Sequence, residues 1–297
     1  MKKLISFIKE AEEKKVAIGH FNVSDSAGLK AVFSAALEIS KSQNTKIPVI
    51  IGASEGERGF IGAKQISALV KSLREEYNYP IFLNADHTYS LEKLEEAVKA
   101  GFDSAVFDGS KLPIEENIKI TKQAVKLAKS SAGWFGNFLV EGEMGYIGSG
   151  STILKEIPTG AAIKPEDFTK PEDAARFVKE TKVDLFAPAV GNIHGIVASG
   201  NPRLDIERIK EIRKAAGVPL VLHGGSGIKD EDFTAAINAG ISVIHINTEL
   251  RIAWRRGITT ALNQNLEEVV PYKLLPGAVE EIKKVALKRL QLFNKLI

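Results

Sequence analysis

Eight short apolar runs, each followed by a stretch of helical periodicity, constrain this chain more than any other feature. They fall at residues 16–22, 47–52, 80–86, 103–108, 137–143, 183–190, 218–223 and 242–247. Several are nearly continuous, as in Val183-Asp-Leu-Phe-Ala-Pro-Ala-Val190, and such continuity fits parallel strands buried on both faces. The segments between them end on glycine just before the next strand. Asp205 caps a helix carrying Ile206, Ile209 and Ile212, and Gly217 stops it; the same grammar runs from Ser90 to Gly101 and from Asp230 to Gly240. Strand–helix alternation implies βα units and a parallel sheet, and eight units imply an α/β fold of the (β/α)8 barrel type, one domain over residues 1–297. A doubly wound open sheet is the alternative, but the glycine-rich dinucleotide fingerprint is absent after the first run.

Composition narrows the partners. Forty basic and 37 acidic side chains leave a net charge of only +3, which gives no reason to expect nucleic acid or a membrane. Cysteine is absent, so any zinc site must use histidine and carboxylates. Near the N-terminus, Lys9 and Glu10 interrupt the apolar Leu4, Ile5, Phe7, Ile8 and Ala11, which predicts an amphipathic helix and no export signal. With no apolar stretch near the roughly 20 residues of a membrane span, the expected location is cytoplasmic. Residues 144–170 form a Gly/Ser/Thr/Pro-rich loop after the fifth strand, a length usual for functional lids. Residues 272–297 read as a closing helix, and Trp134 and Trp254 as packing residues.

All five histidines, His20, His87, His194, His223 and His245, fall at or near the C-terminal end of an expected strand. In a barrel that end is the catalytic face. Asp86-His87 ends the third strand, His194-Gly195 follows the sixth, and His223-Gly224-Gly225-Ser226-Gly227 follows the seventh. Three protein ligands with an open fourth position is the catalytic form of a zinc site. Glycines beside two of these histidines let backbone N–H groups approach a phosphate.

These segments, in this order, resemble class II fructose-bisphosphate and tagatose-bisphosphate aldolases over nearly the whole chain. The matching stretches are Gly19-His20-Phe21-Asn22, Ser54-Glu55-Gly56, Ala85-Asp86-His87, Phe107-Asp108-Gly109-Ser110, Glu141-Gly142-Glu143-Met144-Gly145, Ile193-His194-Gly195, Leu222 to Gly227 and Ile246-Asn247-Thr248-Glu249. The resemblance implies that His87, His194 and His223 bind a catalytic Zn2+, with Glu143 joining an alternative metal position. It also allows a second divalent or a monovalent cation. Asp86 would be the catalytic acid/base, taking the C4 hydroxyl proton of the ketose. Gly195, Gly224, Ser226, Asn247 and Thr248 would hold one phosphate, and Asn22 would contact substrate. Ser54 and Arg251 are the candidates for a second phosphate, Arg251 for its bidentate geometry. Asp108 and Ser110 are expected to support the site through hydrogen bonds, and His20 and His245 to be hydrogen-bonding residues of the barrel rim.

The implied activity is zinc-dependent, reversible cleavage of fructose 1,6-bisphosphate to dihydroxyacetone phosphate and glyceraldehyde 3-phosphate by a homodimer or homotetramer. Tagatose 1,6-bisphosphate, another phosphoketose, and a non-catalytic metal-retaining sugar-phosphate binding protein are the alternatives. A metal-dependent hydrolase would carry a His-x-His pair at the first strand, and a Schiff-base aldolase an interior lysine; neither is present. The resemblance breaks in two places. The loop from Tyr146 has no carboxylate before Glu156, which leaves these two as candidates for moving the C3 proton. Ala198 stands where many members have a lysine after the His-Gly pair.

Overall fold

The computed structural model describes residues 2–131, 138–148 and 150–297. All eight apolar runs supply barrel strands: β1 (Ile18–Asn22), β2 (Val49–Ala53), β3 (Ile81–Thr88), β4 (Ser104–Asp108), β5 (Leu139–Met144), β6 (Leu185–Pro188), β7 (Leu220–Leu222) and β8 (Ile241–Ile246). They close in the order β1-β8-β7-β6-β5-β4-β3-β2, each pair parallel. Asn137, the expected start of β5, and Trp134 lie outside the described residues.

Side chains on a strand alternate faces, and the inward set changes character along the barrel axis. At the floor, Ile18, Ile50, Phe82, Leu139, Leu185, Val221 and Val243 form one apolar cluster with Leu4, Ile8 and Ala11. The last three come from helix Leu4–Glu13, so the amphipathic N-terminal segment plugs the barrel. Two residues further along the same strands stand His20, Asn84, Glu141, His223 and His245, all buried. Two further still come Asn22, Asp86, Glu143 and Asn247. An apolar floor under a polar upper barrel is what the strand sequences dictate once their period of two is applied.

The outward faces pack on the helices. Ile51, Leu83, Val140, Leu222 and Ile244 join Val32, Ile66, Leu94, Phe177, Ile209 and Phe233 in a single cluster. Each such side chain contributes about 1.5–3 kcal/mol on burial. Among the described residues no helix is long and apolar enough to cross a membrane.

Helix Thr248–Gln264 and the closing helix Pro271–Phe293 cross where Gly257 meets Gly277. A methyl on Gly257 would sit 2.3 Å from the Gly277 carbonyl oxygen. Glycine inside a helix ordinarily costs about 1 kcal/mol against alanine, so propensity alone favours Gly257→Ala. The backbone contact reverses the sign: the variant is expected to lose about 1–3 kcal/mol and melt earlier. A higher melting temperature would show that the helices do not touch there.

Candidate metal centre and substrate cavity

The third strand departs from simple alternation. Ala85 pairs with Ala105, but the next match is Thr88 with Phe107, so β3 carries one residue too many opposite β4. Such a bulge re-aims side chains. Here it lets the neighbours Asp86 and His87 both line the same cavity, with His87 at φ +39°. The buried Arg58 guanidinium fastens the bulge, donating to the carbonyls of Ala53 and Asp86 at 2.9 and 3.0 Å and to Thr88 Oγ1 at 3.0 Å.

His87, His194 and His223 converge from β3 and from the turns after β6 and β7, one nitrogen of each lying within 4.8 Å of the others. Each ring has its second nitrogen tied to an acceptor. His87 Nδ1 meets Asp108 Oδ2 at 2.9 Å, His194 Nδ1 meets the Gly148 carbonyl at 2.7 Å, and His223 Nε2 meets Glu141 Oε1 at 2.6 Å. Asp108 is itself held by Ser110, whose amide and hydroxyl donate to Oδ1 at 3.0 and 2.6 Å. Fixing one nitrogen orients the other, and metal-binding histidines are arranged this way. The freed nitrogens face inward, with His87 Nε2 only 3.3 Å from His223 Nδ1.

Charge around this cluster is unbalanced. Asp86, Asp108, Glu141 and Glu143 surround it, and among the described residues no lysine or arginine lines the small cavity beside it. Burial pushes Glu141 and Glu143 well above the usual carboxylate range, and neighbouring carboxylates add to the rise. Burial also lowers His223 well below its ordinary value and His194 to about 4. For His87 burial acts downward too, but Asp86, Glu143 and Asp108 outweigh it and carry the ring up to about 10. Asp86 Oδ1 and Glu143 Oε2 are buried without a well-aligned hydrogen bond among the described residues, their nearest donors being His245 Nδ1 at 3.2 Å and His87 Nδ1 at 3.4 Å. Three poised imidazoles, surplus carboxylate and two buried oxygens without a well-aligned donor fit a divalent cation.

Beside the histidines is a small cavity of about 20 Å3 lined by Gly195, Gly224, Gly225, Ser226, Asn247 and Thr248, with Asn22, Asp86 and Ser151. Gly224 has φ +62°, and a methyl there would strike the Ile193 carbonyl oxygen at 2.2 Å, so the close turn requires glycine. Thr248 opens a 17-residue helix whose free N–H groups favour an anion. A second cavity of about 220 Å3 continues from the same histidines and is lined by Ser54, Glu55, Gly56, Tyr89 and Arg251. A larger cavity of about 570 Å3 opens at the opposite end, between Phe7, Val16 and Pro80, and contains none of the five histidines.

The sequence and the fold match known proteins over almost the entire chain. The family described as "Fructose-bisphosphate aldolase class-II" matches residues 2–296. The chain belongs to the class II fructose-bisphosphate aldolase family. A probable fructose-bisphosphate aldolase of Bacillus subtilis (strain 168) is 34% identical over 294 residues, covering 98% of this chain and 96% of that one. A 6-phospho-5-dehydro-2-deoxy-D-gluconate aldolase of Shouchella clausii is 35% identical, covering 97% and 92%. The crystal structure of the YdjI aldolase from Escherichia coli K12 superimposes with a TM-score of 0.80 at 33% identity, covering 98% of this chain and 96% of that one.

Within that family frame, the structure brings together the residues expected to hold metal and substrate and Asp86, but not Tyr146 and Glu156. His20 and His245 are not at the rim. They are buried and stacked, ring centroids 3.5 Å apart, and His245 Nδ1 lies 3.2 Å from Asp86 Oδ1. Asn22 Nδ2 donates to Asp86 Oδ2 at 2.8 Å, so Asp86 is held from two sides. Glu143 Oε2 lies 3.4 Å from His87 Nδ1 and 3.7 Å from His223 Nδ1. Trp254 is more than packing: its Nε1 donates to Asp25 Oδ2 at 2.9 Å on the surface.

The long loop covers the site. Its residues Ile153–Leu154 pair with Ile196–Val197 in a two-stranded ribbon, and Ser151 lines both cavities. Neither Tyr146 nor Glu156 lines either cavity, and Glu156 and Ala198 are exposed. Ser149 of this loop lies outside the described residues. Tyr89 lines the second cavity together with Ser54 and Ser151, and burial and nearby carboxylates raise its hydroxyl further above its ordinary range. Sequence reasoning missed Tyr89, Arg58 and Glu57. Each adjoins a quoted motif, but only the folded chain shows which neighbours turn inward.

Proposed function

We propose that this chain is a zinc-dependent aldehyde-lyase that cleaves a ketose phosphate between C3 and C4, releasing dihydroxyacetone phosphate and an aldehyde. The observation that carries this reading is the trio of imidazoles, each with one nitrogen tied to an acceptor and the other turned toward a shared centre. His87, His194 and His223 would hold the cation, with Glu143 close enough to join an alternative position. Held there, the cation supplies a Lewis acid that draws charge from the ketone oxygen.

The chain's own residues do the rest. Asp86 accepts the C4 hydroxyl proton as the C3–C4 bond breaks, and the electrons of that bond pass to the ketone half. Its carboxyl is suited to accept: burial raises it, but His87, His245 and His20 together hold it well below the usual range. Gly195, Gly224, Ser226, Asn247 and Thr248 grip the C1 phosphate, turning remote binding into alignment of the reacting carbons. A proton then returns to C3, a role this reading gives to the Tyr89 hydroxyl in the second cavity. The same proposal includes a cytoplasmic enzyme that assembles as a homodimer or homotetramer.

Glu141→Gln is expected to weaken zinc binding about 10- to 100-fold, because the amide is a poorer partner for His223 Nε2. Titration against a competing chelator reads that change, and unaltered affinity would detach Glu141 from the metal centre.

The test of function is release of dihydroxyacetone phosphate from fructose 1,6-bisphosphate, tagatose 1,6-bisphosphate and fructose 1-phosphate. Turnover of at least one should vanish with a chelator and return with zinc. Tight zinc and sugar phosphate binding without cleavage would favour the binding-protein reading, which Tyr146 and Glu156 support by standing away from the cavities.

A further inference from the structure

We infer that the aldehyde half of the substrate carries no phosphate, so the chain works on ketose monophosphates with an uncharged polyol end. This rests on the aldolase reading and concerns the cavity beyond His87 and His194, opposite the glycine cradle. A phosphate on the far end of the sugar would depend there on Ser54 and Arg251. Both are already engaged by one carboxylate.

Glu57 is 7% exposed. Its Oε1 accepts from Arg251 Nη2 at 2.7 Å, and its Oε2 accepts from the Ser54 amide and from Asn22 Nδ2, both at 2.8 Å. The Ser54 hydroxyl caps the same helix, accepting from the Glu57 amide at 3.4 Å, and keeps only its own proton to offer. Arg251 uses its other nitrogen on the Ser151 carbonyl at 3.0 Å. An amide, a side-chain amide and a guanidinium around one anionic group is the donor set a phosphate would seek, and Glu57 occupies it.

No other cation offers itself. Arg58 is buried and committed to the β3 bulge, and among the described residues no lysine lines either cavity. Glu55 adds another carboxylate to the lining, accepting from the Tyr89 amide at 3.0 Å. A phosphate dianion entering here would meet the Glu55 carboxylate, which the buried Arg58 faces at 3.7 Å, and a single lining arginine already paired with Glu57 behind the wall. Hydroxyl groups suit the same wall well: they can donate to Glu55 and accept from Tyr89. Glu57 therefore acts as a specificity determinant, a built-in anion that engages from behind the wall the donors a second phosphate would need.

The test is condensation of dihydroxyacetone phosphate, catalysed by the zinc-loaded full chain, with glyceraldehyde and with glyceraldehyde 3-phosphate. The expected kcat/KM favours unphosphorylated glyceraldehyde by about tenfold or more, and Glu57→Gln moves that ratio about tenfold toward the phosphorylated aldehyde, mainly through KM. A wild-type preference for glyceraldehyde 3-phosphate overturns the inference, as does an unmoved ratio in a Glu57→Gln protein that still condenses. If that variant does not fold, the wild-type ratio decides alone. Exchange of a hydroxymethyl proton of dihydroxyacetone phosphate with solvent needs only the ketone half. Exchange together with a preference for the phosphorylated aldehyde overturns this inference and spares the aldolase reading; no exchange overturns both.

Discussion

His223→Ala is expected to lose bound zinc and cleavage activity together. The change removes one of three converging nitrogens, so the loss should exceed the roughly 10- to 100-fold that follows from disturbing a ligand's hydrogen-bonding partner. It also strands Glu141, whose carboxyl is buried beside the barrel axis and meets His223 Nε2 at 2.6 Å. Leaving such a group unpaired costs about 1–3 kcal/mol, so the variant should also melt earlier than wild type. Metal analysis of the purified variant, activity with added zinc and a thermal melt check the three consequences. A variant that retains stoichiometric zinc would remove His223 from the centre.

Asp86→Asn should separate what His223→Ala joins. Its side chain is not among the three converging imidazoles, and asparagine keeps the shape that Asn22 and His245 hold on either side. Zinc content and melting behaviour should therefore stay close to wild type. Cleavage should fall about 10^2- to 10^4-fold, the range for loss of a general acid/base. The ketone half-reaction does not use the C4 hydroxyl, so solvent exchange at C3 of dihydroxyacetone phosphate should persist in this variant. Near-normal cleavage would take Asp86 out of its role, and loss of zinc would make it a structural support for His87.

What was legible in the sequence is what repeats or what stands beside a glycine. The barrel could be read because its strands are buried on both faces and its helices stop on glycine, as at Gly101, Gly217 and Gly240. The histidine trio could be read because each member ends a strand, and Gly195 and Gly224 mark close turns. What could not be read depends on a broken period or on contacts distant in sequence. The β3 bulge places Asp86 and His87 side by side in one cavity, whereas alternation alone would send them to opposite faces. Glu57 looks like an ordinary first-turn residue of a short helix, and only folding brings Arg251, 194 positions away, onto its carboxylate. His20 and His245 are register partners on adjacent strands, which no local pattern could disclose.

The loop from Tyr146 is the other place where local reading stops. Its lack of carboxylates was visible, but not that the Gly148 carbonyl fastens His194 or that the Ser151 carbonyl receives Arg251. These contacts make the loop part of the metal centre and of the far cavity at once. Motion of the loop would therefore alter the orientation of His194 and the setting of Arg251 together.

The most direct test of the central claim follows the hydroxymethyl protons of dihydroxyacetone phosphate in deuterated buffer by NMR, with zinc-loaded, chelator-stripped and zinc-restored protein. One proton should exchange stereospecifically with the zinc-loaded and restored protein and not with the stripped one. Binding without exchange in the zinc-loaded protein, or exchange that survives removal of the metal, would contradict a zinc-dependent aldolase.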